Sequence, residues 1–148
     1  HGESGSGNSD VRRTAVINAC KAKDLVITDS LLQSCADDSR YVEIIGKLLK
    51  QGIDGLFCPG GNAGIVAAYG LSLFSKHVPD EVSLIASENK MFSRFATPSQ
   101  TTITQDHIQL AETAVDIIEA FPDTSKHPKT SVFDYSLIVR DSVAPLQS

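Results

Sequence analysis

The amino-acid sequence predicts an α/β fold, a three-layer sandwich in which a mostly parallel sheet lies between layers of helices. Two observations support this fold class. Short apolar segments alternate with longer segments of helical apolar spacing, and turns rich in glycine or proline connect strand to helix. Parallel strands need such crossover helices, which pack on the faces of the sheet. With 148 residues, 41% of them hydrophobic, the chain is long enough to form one core.

The N-terminal part is predicted to contain one helix and one strand. Residues 1–8 are rich in Gly and Ser, and we interpret them as a flexible segment or an expression remnant. Ser9 or Asp10 can cap a helix that continues to about Lys21. The apolar run within 24–28 then predicts a short buried strand.

The middle of the chain contains the clearest strand-turn-helix pattern. Asp38 is expected to cap a helix with one apolar stripe, and Gly52 is placed to end that helix in a left-handed conformation. Residues 55–58 predict a buried strand, and the Pro-Gly-Gly turn at 59–61 leads into an apolar helix over about 62–74. This succession is typical of a parallel sheet.

The remaining elements complete the order α-β-α-β-α-β-β-α-β. Residues 82–86 and 101–104 predict two further strands, because both runs are apolar or β-branched. A helix is expected from 106 to 120, ended by Pro122. Its inner side is expected to carry Leu110, Ala114, Ile117, Ile118 and Phe121. Apolar residues alternate over 131–140, which predicts a last strand.

Composition and charge exclude several function classes. The formal charge of −5 argues against a nucleic-acid face, since phosphate binding needs clustered Lys and Arg. No apolar stretch is long enough to cross a bilayer, and the first residues lack a signal-peptide pattern, so no membrane partner is expected. Cys20, Cys35 and Cys58 include no close pair, which favours reduced thiols and a cytoplasmic location.

Polar residues follow the predicted strands at the points where the strands end. In an open parallel sheet, ligands bind beyond these carboxyl ends. Amide and carboxylate groups there suit a hydroxyl-rich ligand such as a sugar, because each hydroxyl both donates and accepts a hydrogen bond. The glycine turn can hold an anion on its free N–H groups or serve only as a steric turn. The residues concerned are Gly60, Gly61, Asn62, Ser87, Glu88, Asn89, Gln105 and Asp106.

Signals of an enzyme are weak. The sequence has no Ser-His-Asp arrangement, HExxH, CxxC or phosphate-binding loop with its Lys, and its four histidines are scattered. Cys58 stands at a strand end, where a nucleophile is conceivable, but no sequence feature provides its base. We therefore expect no catalytic residue, no metal site and no cofactor.

Three consecutive segments resemble a known family. They are 54–58 (DGLFC), 78–86 (VPDEVSLIA) and 101–106 (TTITQD). They are similar in order and spacing to effector-binding domains of the lactose-repressor (LacI/GalR) family of bacterial transcription regulators. In that family the phrase V-P-D-D-I-S-V-V-G-F-D precedes L-T-T-I-x-Q-D by about this distance. The resemblance covers nearly the whole chain from about Ser9.

The resemblance implies a periplasmic-binding-protein-like fold of two α/β lobes, with a small-molecule effector in the cleft between them. Residues 9–148 would form the C-terminal lobe, and 106–121 would cross back toward an N-terminal lobe that is absent from this chain. A homodimer is implied. Operator DNA would be contacted only through an N-terminal helix-turn-helix, which is also absent.

The resemblance also implies roles for individual residues. Arg13 matches the arginine of an R-x-x-G-F helix that grips effector hydroxyls, and Ser9 lies one turn before it. Glu88 stands where the family has Asp, and Gln105 and Asp106 match the Q-D that ends a hinge strand. For each residue, capping or hinge bonding is the structural alternative. The resulting effector site comprises Ser9, Arg13, Gly60, Gly61, Asn62, Glu88 and Gln105, with Asp106 as hinge or cap.

Departures from the family pattern leave the effector open. Pro59-Gly60-Gly61 stands where the family has A-N-D, and Val16-Ile17 and Ala86-Ser87 replace Gly-Phe or Gly-Tyr pairs. These changes remove an amide, a carboxylate and an aromatic ring. Two alternatives to a regulator that senses a sugar or sugar derivative also stay open: a sugar-binding protein of a transport system with the same fold, and an α/β hydrolase or transferase.

Overall fold

The computed structural model describes residues 7–35, 40–119 and 131–145. Helices and strands alternate along these segments, as the sequence predicts from the second helix onward. The elements are α1 (Gly7–Lys21), a short 3₁₀ helix (Asp29–Leu31), α2 (Tyr41–Leu49), β1 (Gly55–Cys58), α3 (Ala63–Leu73), β2 (Ser83–Ser87), β3 (Thr101–Gln105), α4 (His107–Glu119) and β4 (Tyr135–Ile138).

The four strands form one mixed sheet in the order β1-β2-β3-β4. The first three strands are parallel, with Cys58 opposite Ala86 and Ser87 opposite Ile103, and β4 is antiparallel to β3. The predicted α/β fold with a mostly parallel sheet is therefore confirmed. Because β1, β2 and β3 run in one direction, their carboxyl ends meet at one edge of the sheet.

The core lies where α2 and α3 pack on β1 and β2. Its buried members are apolar side chains from both helices and from the region of β2. Helix α3 approaches the sheet closely at Gly64, where a Cβ atom would lie 2.5 Å from the Cβ of Ala86. Glycine is required there because any side chain would push the helix away from the strand. The buried cluster is Ile45, Ala67, Leu71, Val82 and Leu84.

The predicted strand over 24–28 is wrong. Residues 25–28 have no regular structure, and Val26 is 90% exposed. Asp24 takes a left-handed conformation with φ of 57°, and the N–H of Leu25 donates to the carbonyl of Cys20 at 2.9 Å. The N–H of Leu25 is therefore used to end α1 and is not available to pair with a neighbouring strand. An apolar composition does not by itself provide such a neighbouring strand.

The last helix and strand form where predicted, but the helix packs differently. No residue of α4 is buried, and Ile118, expected on its inner side, is 71% exposed. Strand β4 is shorter than the predicted 131–140, and its Leu137 is also exposed. The expected inward apolar face is therefore solvent-exposed in the described chain. The proposed cap Asp38, and Phe121 and Pro122 at the predicted end of the helix, lie outside the described residues.

Gly52 has the left-handed conformation that the sequence predicts, with φ of 77°, just after α2. Asn62 immediately precedes α3, so the turn 59–61 leads from strand into helix as expected. In the described segments, no helix has the length and apolar character needed to span a membrane.

Candidate functional site

The carboxyl edge of β1 and β2 brings two amide side chains together. The Nδ2 of Asn89 donates to the Oδ1 of Asn62 at 3.4 Å. Asn62 is exposed and makes no side-chain capping bond to α3. The turn before it is closed by a hydrogen bond of 2.8 Å from the N–H of Ala63 to the carbonyl of Gly60, and the Cα of Gly61 faces open space. This corner is thus polar and accessible, with the exposed cation Lys90 directly after Asn89.

Local hydrogen bonds hold Asn89 in position. Its Oδ1 accepts from the N–H of Met91 at 3.1 Å, and its own N–H donates to the Oγ of Ser93 at 3.0 Å. Its carbonyl accepts from the N–H groups of Phe92 and Ser93. With its oxygen held by the backbone, Asn89 presents its amide nitrogen toward Asn62.

Glu88, the predicted effector-binding carboxylate, is in a mostly buried ion pair with Arg140. Arg140 binds it in a bidentate manner, with Nη1 at 2.9 Å from Oε2 and Nη2 at 3.0 Å from Oε1. The two side chains are only 12% and 16% exposed. Thr102 also donates from Oγ1 to this carboxylate. The hydrogen bond from Arg140 lowers the pKa of Glu88 below its usual range, while burial opposes that shift.

Arg140 links Glu88 to the start of β3. Its Nη1 also donates to the carbonyl of Gln100 at 2.5 Å and to the Oγ1 of Thr102 at 3.0 Å. The backbone N–H of Arg140 donates to the Oγ1 of Thr101 at 2.9 Å. Sequence reasoning missed this arginine. A carboxylate at the end of a buried strand, such as Glu88, predicts a cationic partner. The sequence pattern did not indicate which Lys or Arg that partner is.

Arg13, the second charged candidate, lies on α1 and contacts the region of the 3₁₀ helix. Its Nη2 lies 2.7 Å from the Oδ1 of Asp29, and its Nη1 donates to the carbonyl of Leu32 at 3.2 Å. These contacts connect α1 to the 3₁₀ helix. No contact between Arg13 and the carboxyl edge occurs among the described residues, and the side chain of Ser9 lies outside them.

Gln105 and Asp106 follow one another at the end of β3, with different roles. Gln105 pairs with Tyr135 in the sheet, and its side-chain amide has no hydrogen-bond partner in the described part of the chain. The Oδ1 of Asp106 accepts from the N–H groups of Ile108 and Gln109 at 3.0 and 3.1 Å, which caps α4. Parallel register therefore places Gln105 on the same edge as Asn62, Glu88 and Asn89, while Arg13 belongs to a separate cluster.

The described residues offer little for catalysis or metal binding. Burial raises the pKa of the Cys58 thiol to about 12, so at neutral pH it is protonated and a poor nucleophile. Within residues 7–35, 40–119 and 131–145, no three His, Cys, Asp or Glu side chains are grouped so that they could hold a metal ion. Amides and one neutralised ion pair are groups that recognise polar ligands rather than activate them.

Comparison with known proteins identifies the domain. The family of periplasmic binding protein-like domains matches residues 1–143. The chain belongs to this family. No curated protein sequence matches the chain.

Solved structures of transcriptional regulators have the fold of this periplasmic binding protein-like domain. A LacI-family sugar-binding regulator from Escherichia coli, solved with phosphate, gives a TM-score of 0.82 at 20% identity, covering 97% of this chain and 53% of its own. The regulator CcpA of Lactococcus lactis gives a TM-score of 0.83 at 12% identity, and the match covers 96% of this chain and 53% of CcpA. A LacI-family regulator from Enterococcus faecalis with bound ribose gives a TM-score of 0.67 at 25% identity, and the match covers 78% of this chain and 43% of that regulator. The chain therefore spans about half the length of the regulators that it matches.

Proposed function

We propose that this domain senses a small polar ligand, a sugar or sugar derivative, as part of a LacI-type transcription regulator. The observation that carries the proposal is the polar edge where three parallel strands end. There the amides of Asn62 and Asn89 lie in contact, and the third strand ends at Gln105, whose amide has no partner among the residues that the structure describes. A sugar hydroxyl needs both a donor and an acceptor, and each of these amides offers both.

The comparisons support this ligand class without specifying the ligand. Two of the regulators with the same fold were solved with phosphate and with ribose. Glu88 is already paired with Arg140, and Arg13 lies in a separate cluster with Asp29, so we place recognition on the amides rather than on these charges. The glycine turn, next to Asn62, lets a ligand approach the backbone closely.

A second lobe is expected to complete the binding cleft. Ile108 and Ile118 on α4 are 73% and 71% exposed, an unusual state for two isoleucines on one helix. We propose that 106–121 crosses to a further lobe of the intact protein, which covers this face and closes over the ligand. The matched regulators are about twice as long as the segment that this chain covers.

The regulatory role follows from the same proposal. Ligand binding would close the two lobes and shift a homodimer between states of different affinity for operator DNA, through a separate DNA-binding head in the cytoplasm. No chemical step is needed, so we propose a binding protein and not an enzyme. A transport protein of the same fold would bind the sugar equally well. Ligand-dependent, sequence-specific binding of the intact protein to fragments of its source genome distinguishes the regulator.

A thermal-shift screen of neutral sugars and sugar phosphates on the intact protein tests the ligand site. A ligand that binds only the folded state raises the melting temperature. Asn62→Ala should weaken binding of the best ligand about tenfold, because one hydrogen bond to the ligand is lost. The substitution should leave the unliganded protein folded, since Asn62 is exposed and caps nothing by its side chain.

Gln109→Ala is the matched control. Gln109 is an exposed amide on α4, and only its backbone makes hydrogen bonds among the described residues. This variant should bind the ligand like the unmodified protein. If Asn62→Ala also binds with unchanged affinity, the amide edge is not the ligand site, and if no sugar or sugar phosphate raises the melting temperature, the ligand class is wrong.

A further inference from the structure

The polar edge of the sheet continues past β3 to an exposed aromatic side chain. Tyr135 is the first residue of β4 and pairs with Gln105, the last residue of β3. Because β4 runs antiparallel to β3, its first residue lies where the three parallel strands end. The side chain of Tyr135 is 56% exposed, and neither its hydroxyl group nor the Gln105 amide has a hydrogen-bond partner among the described residues. A ring and an amide therefore stand side by side at this edge.

The register of the sheet shows which way these two side chains point. Directly opposite residues of antiparallel strands have Cβ atoms about 4.5–5.5 Å apart on the same face. Ala86 faces α3, so its neighbour Ser87 faces the other way, and so does Gln105, two residues beyond the partner of Ser87. Gln105 and Tyr135 therefore lie on the face away from α3, whereas Asn62 precedes the first residue of α3.

The Tyr135 ring is too far from the Asn62–Asn89 pair for one sugar ring to contact both. Neighbouring strands are about 4.8 Å apart, so β4 lies roughly 10 Å from β2 and roughly 14 Å from β1. Side chains stand nearly perpendicular to the sheet, which keeps the Tyr135 ring over β4. With bonds of about 1.5 Å and a hydrogen bond of about 2.8 Å, a sugar reaches roughly 6 Å from its ring centre. A second linked ring adds roughly 5 Å, which brings the amide pair within reach.

We propose that this edge binds a disaccharide or longer saccharide, with one ring on the Asn62–Asn89 pair and the next ring stacked on Tyr135. This inference rests on the proposed function and specifies the size of its ligand. A sugar ring has C–H groups on its faces, which pack against an aromatic ring, and hydroxyls around its rim, which pair with amides such as Gln105. Leu137, on the same face of β4, is also 56% exposed but has no polar group, so stacking and hydrogen bonding combine only at Tyr135 within this strand.

Isothermal titration calorimetry of the intact protein tests the proposal. The probes are maltose, cellobiose, lactose and sucrose, with their component sugars glucose, galactose and fructose. At least one disaccharide should bind about tenfold more tightly than either of its component sugars, because it contacts both ends of the edge. Asn62→Ala and Tyr135→Ala should each weaken binding of that disaccharide about tenfold. A monosaccharide can occupy only one end, so only one of the two substitutions should weaken its binding.

Two further tyrosine variants test whether the Tyr135 ring acts by contact. Tyr135→Phe keeps the ring and should keep the disaccharide affinity within about threefold of the unmodified protein. Tyr69→Ala is the matched control, because Tyr69 is a 60% exposed ring on α3 about two helical turns beyond Asn62. This control should leave the affinity unchanged. Because Tyr135 is exposed and pairs through its backbone, its variants should fold.

The outcomes separate this inference from the proposed function. If no disaccharide binds more tightly than its component sugars, or if both substitutions weaken one monosaccharide about tenfold, the proposal of a ligand with two rings is wrong. If Asn62→Ala weakens disaccharide binding and Tyr135→Ala does not, the amide edge remains the ligand site and Tyr135 takes no part in it. If no sugar or sugar phosphate binds, the proposed function fails, and this inference fails with it.

Discussion

Removal of the Arg140 guanidinium should destabilise the protein more than removal of any exposed arginine. Its two terminal nitrogens make four hydrogen bonds, two to the Glu88 carboxylate, one to the carbonyl of Gln100 and one to Thr102. Arg140→Met keeps an apolar stem but leaves Glu88 mostly buried without its counter-ion. Breaking one side of such a pair costs about 3–5 kcal/mol, and with residual exposure we expect about 3 kcal/mol. Urea denaturation followed by circular dichroism measures the change in the free energy of unfolding.

A double-mutant cycle with Glu88→Gln separates the pair from its surroundings. Glu88→Gln should cost about 2 kcal/mol, and the double variant should cost less than the sum of the two single changes by about 1–3 kcal/mol. Arg12→Met, at an exposed position on α1, is the control and should stay within about 0.5 kcal/mol of the unmodified protein. Strict additivity in the cycle, or an Arg140→Met effect no larger than the control, would refute the reasoning.

Acid unfolding provides a second measure of the same pair. The folded state lowers the pKa of Glu88 from its usual 4.5, chiefly through the hydrogen bond from Arg140. The unfolded state therefore binds a proton more readily, so this contribution to stability is complete above about pH 4.5 and is lost as the pH falls through the folded-state pKa. In Glu88→Gln the free energy of unfolding should fall less steeply with acid in that window. If the free energy of unfolding falls equally steeply with acid in both proteins, Glu88 does not contribute to this pH dependence.

Two further predictions concern the packing of α3 and the state of the partly buried Cys58 thiol. Gly64→Ala should lower the free energy of unfolding by about 1–3 kcal/mol, because its Cβ would lie 2.5 Å from that of Ala86; Gly61→Ala, whose Cβ meets nothing within 4 Å, should be close to neutral. If both substitutions change the free energy of unfolding equally in urea denaturation, α3 and β2 do not pack closely at Gly64. Cys58 should resist alkylation at pH 8 until the protein unfolds, because burial raises its pKa to about 12. Mass spectrometry after iodoacetamide treatment measures this, and labelling of folded protein at the rate of denatured protein would contradict it.

Most of the fold could be predicted because its signals are local. The apolar stripe of α2, the turn before α3 and the β-branched run of β3 each depend on residues within a few positions. The strand expected at 24–28 depended instead on a neighbour in the sheet, which no local pattern reports. Leu25 gives its N–H to Cys20 in the turn that ends α1, and the apolar run stays exposed. Periodicity identifies a segment that can be a strand, while pairing decides whether it is one.

The location of the candidate site could be predicted from the sequence, but the side-chain contacts within it could not. Parallel topology was sufficient to locate the edge that carries Asn62, Glu88 and Gln105. The partner of Glu88 is 52 positions away in the chain, and Arg13 pairs with Asp29 across 16 positions. Such pairs are set by the packing of whole elements, so the residue types alone could not distinguish a charge that meets a ligand from a charge that meets another side chain.

These internal pairs change where ligand selectivity is expected. In the family that the sequence resembles, an amide and a carboxylate follow the strand that corresponds to β1, and here two glycines stand at those positions. Asn62 supplies an amide one residue after these glycines, and Asn89 reaches it across the edge at 3.4 Å. Since the guanidinium of Arg140 is already paired with Glu88, a phosphate group that bound it would have to displace that ion pair, whereas a neutral polyol meets the amides of this edge without that cost. We therefore expect neutral sugars to bind more tightly at this edge than their phosphates.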